Sequence, residues 1–185
     1  MQRSLIGPLL FGLAGVAILL ALGVWQLQRL EWKCGVLDRI EARLSAEPTG
    51  LPDDPQEFGD EYRRVVLAGS FLEGEAHIYT SAPGSGVGYR IVAPFETADG
   101  RRVLVDRGFV LISDKDAVRS PGGAEIEGAL LWPDEGAAGE MEPDLAKNIW
   151  IARDVEALAR ELATEPILVV ASAERPPGPA RPLPV

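Results

Sequence analysis

The chain of 185 residues carries 18 basic and 28 acidic side chains, one histidine and one cysteine, for a net charge of −10. That length suits one membrane segment plus one domain with a real core and excludes two large soluble domains. The acidic balance argues against a nucleic-acid partner, and a single cysteine excludes an intramolecular disulfide or a cysteine-based metal cluster.

Arg3 is the one charged side chain in the first 27 residues, and none occurs from Leu5 to Trp25. In a helix that stretch is about 30 Å long, the thickness of a hydrocarbon core. A cleaved secretory signal has a shorter apolar core closed by an A-x-A-like site. Here the run passes into GVWQLQRL without one, so residues 1–28 read as a retained transmembrane anchor. Pro8 falls in its first turns, where proline is least disruptive, and Gly12 and Gly15 offer close packing without GxxxG spacing. Leu30, Leu37, Ile40 and Leu44 then keep an apolar stripe at helical period, which predicts a stalk over residues 29–46 with Cys34 as a small apolar residue on it. Arg29, Lys33, Arg39 and Arg43 outnumber Arg3 and the amino terminus, so a positive-inside count keeps the following domain in the cytoplasm. The length of that domain weakens the count, and its own acidic balance is compatible with export.

Residues 47–61, EPTGLPDDPQEFGDE, combine three prolines, two glycines and six acids and read as an acidic linker. From residue 62 the runs YRRVVLAGSF, EAHIYTS, GYRIVAPFET, RRVLVDRGFVLI and AEIEGALL each join β-branched or aromatic residues with partial alternation. ADG at 98–100 predicts a hairpin between the third and fourth. PDEGAAGEMEPD is an acidic loop, NIWI an extended piece, DVEALARELA a helix with Val155, Leu158, Ala159 and Leu162 on one face, and EPILVVAS a buried last strand. The fold class is α+β: anchor and stalk, then over 62–173 a mainly antiparallel sheet, curled or barrel-like, with one short helix. Residues 174–185 form a proline-rich, extended exit tail.

Catalysis would need a nucleophile, base and orienting group, or a set of metal ligands. His77 lies within a strand run and has no G-x-S-x-G partner or metal-ligand spacing, so it reads as a structural or surface residue. GSGVGYR at 84–90 precedes a strand, whereas nucleotide loops follow one, and it reads as a flexible hairpin connection. Arg63-Arg64 and Arg101-Arg102 read as solvated strand positions. No catalytic or metal-binding residue is assigned.

The membrane junction has the least generic side chains. On a continuous helix Trp25, Arg29 and Trp32 fall at i, i+4 and i+7 on one face, with Gln26 and Lys33 on an adjacent one. An aromatic belt with snorkelling cations accounts for them. So does a docking surface for a membrane protein, or for the propionates and ring of a porphyrin.

GVWQLQRLEWK, EYRRVVLAGSF, GVGYRIVAPFET, GRRVLVDRGFV and PDLAKNIWIARDVEAL, in that order, resemble the surfeit locus protein 1 family of cytochrome c oxidase assembly factors, in an alphaproteobacterial style. The likeness runs from about Leu22 to Val170. It implies a bacterial inner-membrane protein whose domain is periplasmic, against the charge count, and which has no enzymatic reaction of its own. It implies haem a as cargo, with oxidase subunit I, its assembly intermediates and haem A synthase as partners. Trp25, Gln26 and Arg29 fall on the family's junction motif, and Tyr89, Pro94, Arg107 and Gly108 on its β-domain motifs. The family carries a second transmembrane helix after the proline-rich segment, opening with an Asn-Asn-His motif whose histidine is the proposed haem ligand. The sequence reaches Val185 where that helix is expected to start, so the expectation is a chain truncated there or lacking that part. An accessory subunit that stays on the oxidase is the alternative reading.

Overall fold

The computed structural model describes residues 6–119, 121–135, 141–178 and 180–183. The chain divides into two compact units, Met1–Ala42 and Arg43–Val185, taken here one at a time.

The first unit is a helix, α1, which runs Ile6–Leu44 without a break at the membrane junction. Its 39 residues extend roughly 58 Å, about twice a hydrocarbon core. Phe11 is 84% exposed and Leu19 67% exposed, so the apolar half has no protein covering it and is suited to lipid. Among the described residues α1 is the one helix long and apolar enough to cross a membrane. Cys34 is exposed on it.

In the second unit the strands are β1 Arg64–Phe71, β2 Ala76–Ala82, β3 Gly86–Thr97, β4 Arg102–Leu111, β5 Gly122–Leu131 and β6 Leu168–Arg175. They form one sheet in the order β1-β5-β6-β4-β3-β2. A further antiparallel pairing of β1 with β3, from Gly69↔Thr97 to Phe71↔Phe95, closes five of them into a barrel and leaves β2 outside on β3. Closure requires the two backbones to touch, and a Cβ on Gly69 would run into the Glu96 carbonyl. All pairings between named strands are antiparallel except β4 with β6, which makes the sheet mixed. The interior holds Val65, Leu67, Phe95, Val103, Val105, Ile126, Leu130 and Val169, with Phe71 meeting Phe95 edge-on at 5.0 Å between ring centroids.

β4 reads as a continuous apolar run because both of its faces are closed. Val103 and Val105 point into the barrel, while Leu104 packs outside with Leu158, Trp150 and Leu168 beneath helix α3, Val155–Glu161. The Asp154 carboxylate accepts the Ala157 N–H at 3.0 Å and so caps α3, as DVEAL predicts. Ile149-Trp150 bridges the outer edge of β2, where the Tyr79 N–H donates to Trp150 O and the Trp150 N–H to His77 O. That limits the open edge of the sheet.

Several expectations change. The linker contains one helical turn, α2 Glu57–Asp60, and is tied to the barrel: Thr49 bridges Val65, and Arg101 donates to Pro52 O at 2.7 Å. The arginine pairs are not merely solvated. Arg63 pairs with Asp60, Arg64 with Glu127, Arg101 with Glu165 and Arg102 with Glu96. The glycine segment supplies both a turn and the start of β3 at Gly86. Ile112 leaves β4 for a 3-10 turn, Ile112–Asp114, and another, Leu145–Lys147, ends the acidic loop. Residues 136–140 of that loop lie outside the described residues. The proline-rich tail does not simply exit: Arg181 forms an antiparallel bridge with Phe109.

Gly69→Ala should destabilise the domain by about 1–3 kcal/mol, because the added methyl forces the β1–β3 seam apart. Gly59→Ala, which meets open space, is the control. Denaturant unfolding of the full chain in detergent checks this, and equal midpoints for the two variants would show that the seam is not close-packed.

Candidate functional site

On α1 the five junction residues Trp25, Gln26, Arg29, Trp32 and Lys33 are all exposed. The helix being unbroken, Trp25, Arg29 and Trp32 share a face as their spacing predicts. The Arg29 guanidinium lies 4.1 Å over the Trp32 ring, a cation–π contact that holds both side chains along the helix. Among the described residues Trp25, Gln26 and Lys33 have no hydrogen-bond, ion-pair or ring partner. These two adjacent faces offer two cations, an amide and two indoles at the end of the apolar run of α1.

The β-domain motif positions gather around a different feature. On β4, Asp106, Arg107 and Gly108 form a β-bulge: Ile91 faces Gly108 and Val92 faces Asp106, so Arg107 is the extra residue. Gly108 adopts φ +114°, a conformation that side chains rarely take. Its N–H donates to Asp106 Oδ1 at 3.0 Å. Asp106 is fully buried, and its Oδ2 accepts Arg90 Nε at 2.6 Å, with Arg153 at 3.9 Å. Burial pushes the Asp106 carboxyl above its usual range, against the pull of Arg90, Arg153 and the Gly108 N–H. Arg153 also donates to Glu135 Oε1 at 2.6 Å, where the network reaches a cleft of about 370 Å³ lined by Trp132, Asp154 and Glu156.

The bulge turns Arg107 toward β6. There it pairs with Glu174 at 2.5 Å, both side chains being at least nine-tenths buried, and stacks 3.9 Å from the Phe71 ring. Tyr89 is buried opposite Val110, with Tyr79 edge-on to it at 5.8 Å. Pro94 faces Leu104 in the β3–β4 ladder while its carbonyl accepts the Leu72 N–H from the end of β1. Each β-domain motif position thus has a structural task.

His77 is buried, its Nε2 2.7 Å from Glu75 Oε1, and Glu75 Oε2 accepts Arg119 Nε at 3.1 Å. A carboxylate at Nε2 places the proton there. Of the structural and surface roles expected for His77, the structural one holds. Among the described residues no cluster of three or more His, Cys, Asp or Glu is placed to hold a metal ion. Sequence reasoning missed Asp106, Arg90 and Arg153, although an aspartate inside the apolar run VLVDRGFV is a usable signal: a charge in such a strand needs fixed partners.

The SURF1 family model matches residues 13–184. The chain belongs to the SURF1 family. This is the family of cytochrome c oxidase assembly factors that the ordered motifs resemble, and it is not an enzyme family by name. Similar proteins include the SURF1-like protein of Monosiga brevicollis, 31% identical over 93% of this chain and 74% of that protein. Surfeit locus protein 1 of Takifugu rubripes is 31% identical over 85% of this chain and 76% of its own length. Surfeit locus protein 1 of Homo sapiens is 31% identical over 82% of this chain, which spans 58% of the human protein.

Arg90→Met should cost about 3–5 kcal/mol at neutral pH by leaving a buried carboxylate without its closest cation. Because the folded-state carboxyl titrates above its ordinary 3.8, folding favours its protonated form. The stability this contributes is present at low pH and is lost as pH rises through the folded value. The deficit of Arg90→Met against wild type should therefore shrink as pH is lowered, which unfolding curves at several pH values measure. A deficit independent of pH would place the defect in packing.

Proposed function

We propose that the protein is a membrane-anchored assembly factor of cytochrome c oxidase that assists haem a delivery or insertion into subunit I by binding, beside haem A synthase. The domain then faces the periplasm of a bacterial inner membrane. Family membership supports the oxidase assignment, and one observation supports the place of contact: of the junction residues that resemble the family's motif, Trp25, Gln26 and Arg29, the first two have no structural task among the described residues, and neither has the nearby Lys33. The donor set fits the edge of the cargo. Arg29 and Lys33 match its propionates, and Trp25 and Trp32 match a flat ring at the membrane surface. An axial ligand is a different matter, because the one histidine, His77, is buried on β2 against Glu75. The face therefore reads as a contact for the porphyrin edge, or for the subunit that receives it.

Replacing Trp25 and Arg29 together by Ala removes a charge-assisted contact and an aromatic anchor. Each is worth about 1 kcal/mol or more, so association with subunit I should weaken about tenfold or more and oxidase haem content should fall. The unfolding midpoint of the domain should not move. Unchanged haem content and association would return the motif to an interfacial belt. Co-expression with haem A synthase separates the cargo from the receiver: a Soret band on the purified chain supports carriage, and its absence limits the role to the receiving subunit. Stoichiometric retention on mature oxidase would identify an accessory subunit instead.

A further inference from the structure

We propose that residues 180–183 are a strap, latched by the Asp106-Arg107-Gly108 bulge across an apolar sheet face, and that the strap opens separately from the barrel.

All three bulge residues serve the latch. The Asp106 carboxylate holds the Gly108 N–H and so fixes the backbone at φ +114°. Gly108 then admits the strap, because a Cβ there would run into the Arg181 carbonyl. The next residue, Phe109, takes both hydrogen bonds of Arg181: its N–H donates to Arg181 O at 2.7 Å and its carbonyl accepts the Arg181 N–H at 2.9 Å. Arg107 pins Glu174, and Gly178 sits so close to the Glu174 carboxylate that a side chain there would collide with it.

What the strap covers is continuous. On the shared face of β2, β3 and β4, Tyr79, Tyr89 and Val110 lie in one register row, with Val87 and Ile91 two residues to either side of Tyr89 on β3. Tyr89, Ile91 and Val110 are buried together with Ala180 of the strap, whereas Tyr79 and Val87 at the margin are 42–47% exposed. Lifting the strap would join centre and margin into one apolar surface.

The hold is small compared with the barrel's. Among the described residues the ladder is the single Phe109–Arg181 bridge, and the strap is held by its two hydrogen bonds, a long contact from Arg181 to Ser85 Oγ at 3.4 Å and one buried alanine. Elements with few bonds and little buried apolar area open at lower free energy than the global transition.

Hydrogen exchange on the full chain in detergent tests this. The Phe109 and Arg181 amides should exchange at least tenfold faster than Leu67 and Ile126 in the β1–β5 ladder. Ala180→Glu should speed the first pair a further tenfold or more and leave the second pair unchanged. Hydroxyl-radical footprinting of the same variant should label Tyr89 several-fold more, with Phe95 unaffected. Gly108→Ala should reproduce the pattern, and if it fails to fold, Ala180→Glu decides alone. One common exchange rate for all four amides, loss of the barrel in Ala180→Glu, or unchanged labelling of Tyr89 would each overturn the strap.

Discussion

A carboxylate buried in a strand with no solvent on either face constrains this domain more than any other group. β4 is enclosed by the barrel interior on one side and the layer under α3 on the other, so Asp106 has no water to solvate it and must be met by protein groups. Those groups come from three places: Arg90 on β3, Arg153 just before α3 and the Gly108 N–H on β4 itself. One charge thereby ties the neighbouring strand, the helix entry and the bulge to a common point. The side-chain phase of β4 shifts at that point, which sends Arg107 to Glu174 on β6 and leaves Gly108 facing the tail. Such an arrangement need not add net stability over an apolar core. Its consequence is that a register slip between β3 and β4 would strand a charge.

Barrel closure and edge protection follow the same economy of specific contacts. The β1–β3 seam depends on Gly69 having no side chain, and Pro94 still offers its carbonyl to Leu72 despite lacking an N–H. The exposed edge of β2 is occupied by Ile149-Trp150, whose indole also joins the packing under α3. A segment that reads as a short extended piece therefore does two tasks, blocking an edge and filling a core.

The parts of the fold set by local chemistry were legible. Apolar length and the absence of breakers marked α1, short β-branched and aromatic runs between turn residues marked the strands, ADG marked the β3–β4 turn, and the aspartate before VEAL marked the α3 cap. What could not be read depends on partners distant in the chain. The parallel β4–β6 pair, the closure at Gly69 and the pairing of Arg101 with Glu165 join residues whose separation carries no periodic signal. The tail failed for a related reason: proline content correctly excluded a strand, but a single bridge at Arg181 needs only one non-proline residue opposite a glycine bulge. Of the site, the shared face of Trp25, Arg29 and Trp32 follows from spacing alone, while the network around Asp106 was signalled only by a charge out of place.

The two sets of motif residues differ in how their side chains are used, and that difference bears on where binding resides. In the barrel Arg107 is spent on Glu174 and Phe71, Tyr89 on Val110 and Tyr79, Pro94 on the β1–β3–β4 junction, and Gly108 on a backbone conformation and a close approach. A residue so committed is restricted by the fold and offers little to a partner. On α1 the opposite holds: Trp25, Gln26 and Lys33 cost nothing to the helix if replaced by other helix formers, and Gln26 gains nothing from lipid. A side chain that the fold does not need is the one free to recognise something else. The barrel motifs therefore specify a scaffold, whereas the junction holds the motif side chains that the fold leaves uncommitted among the described residues.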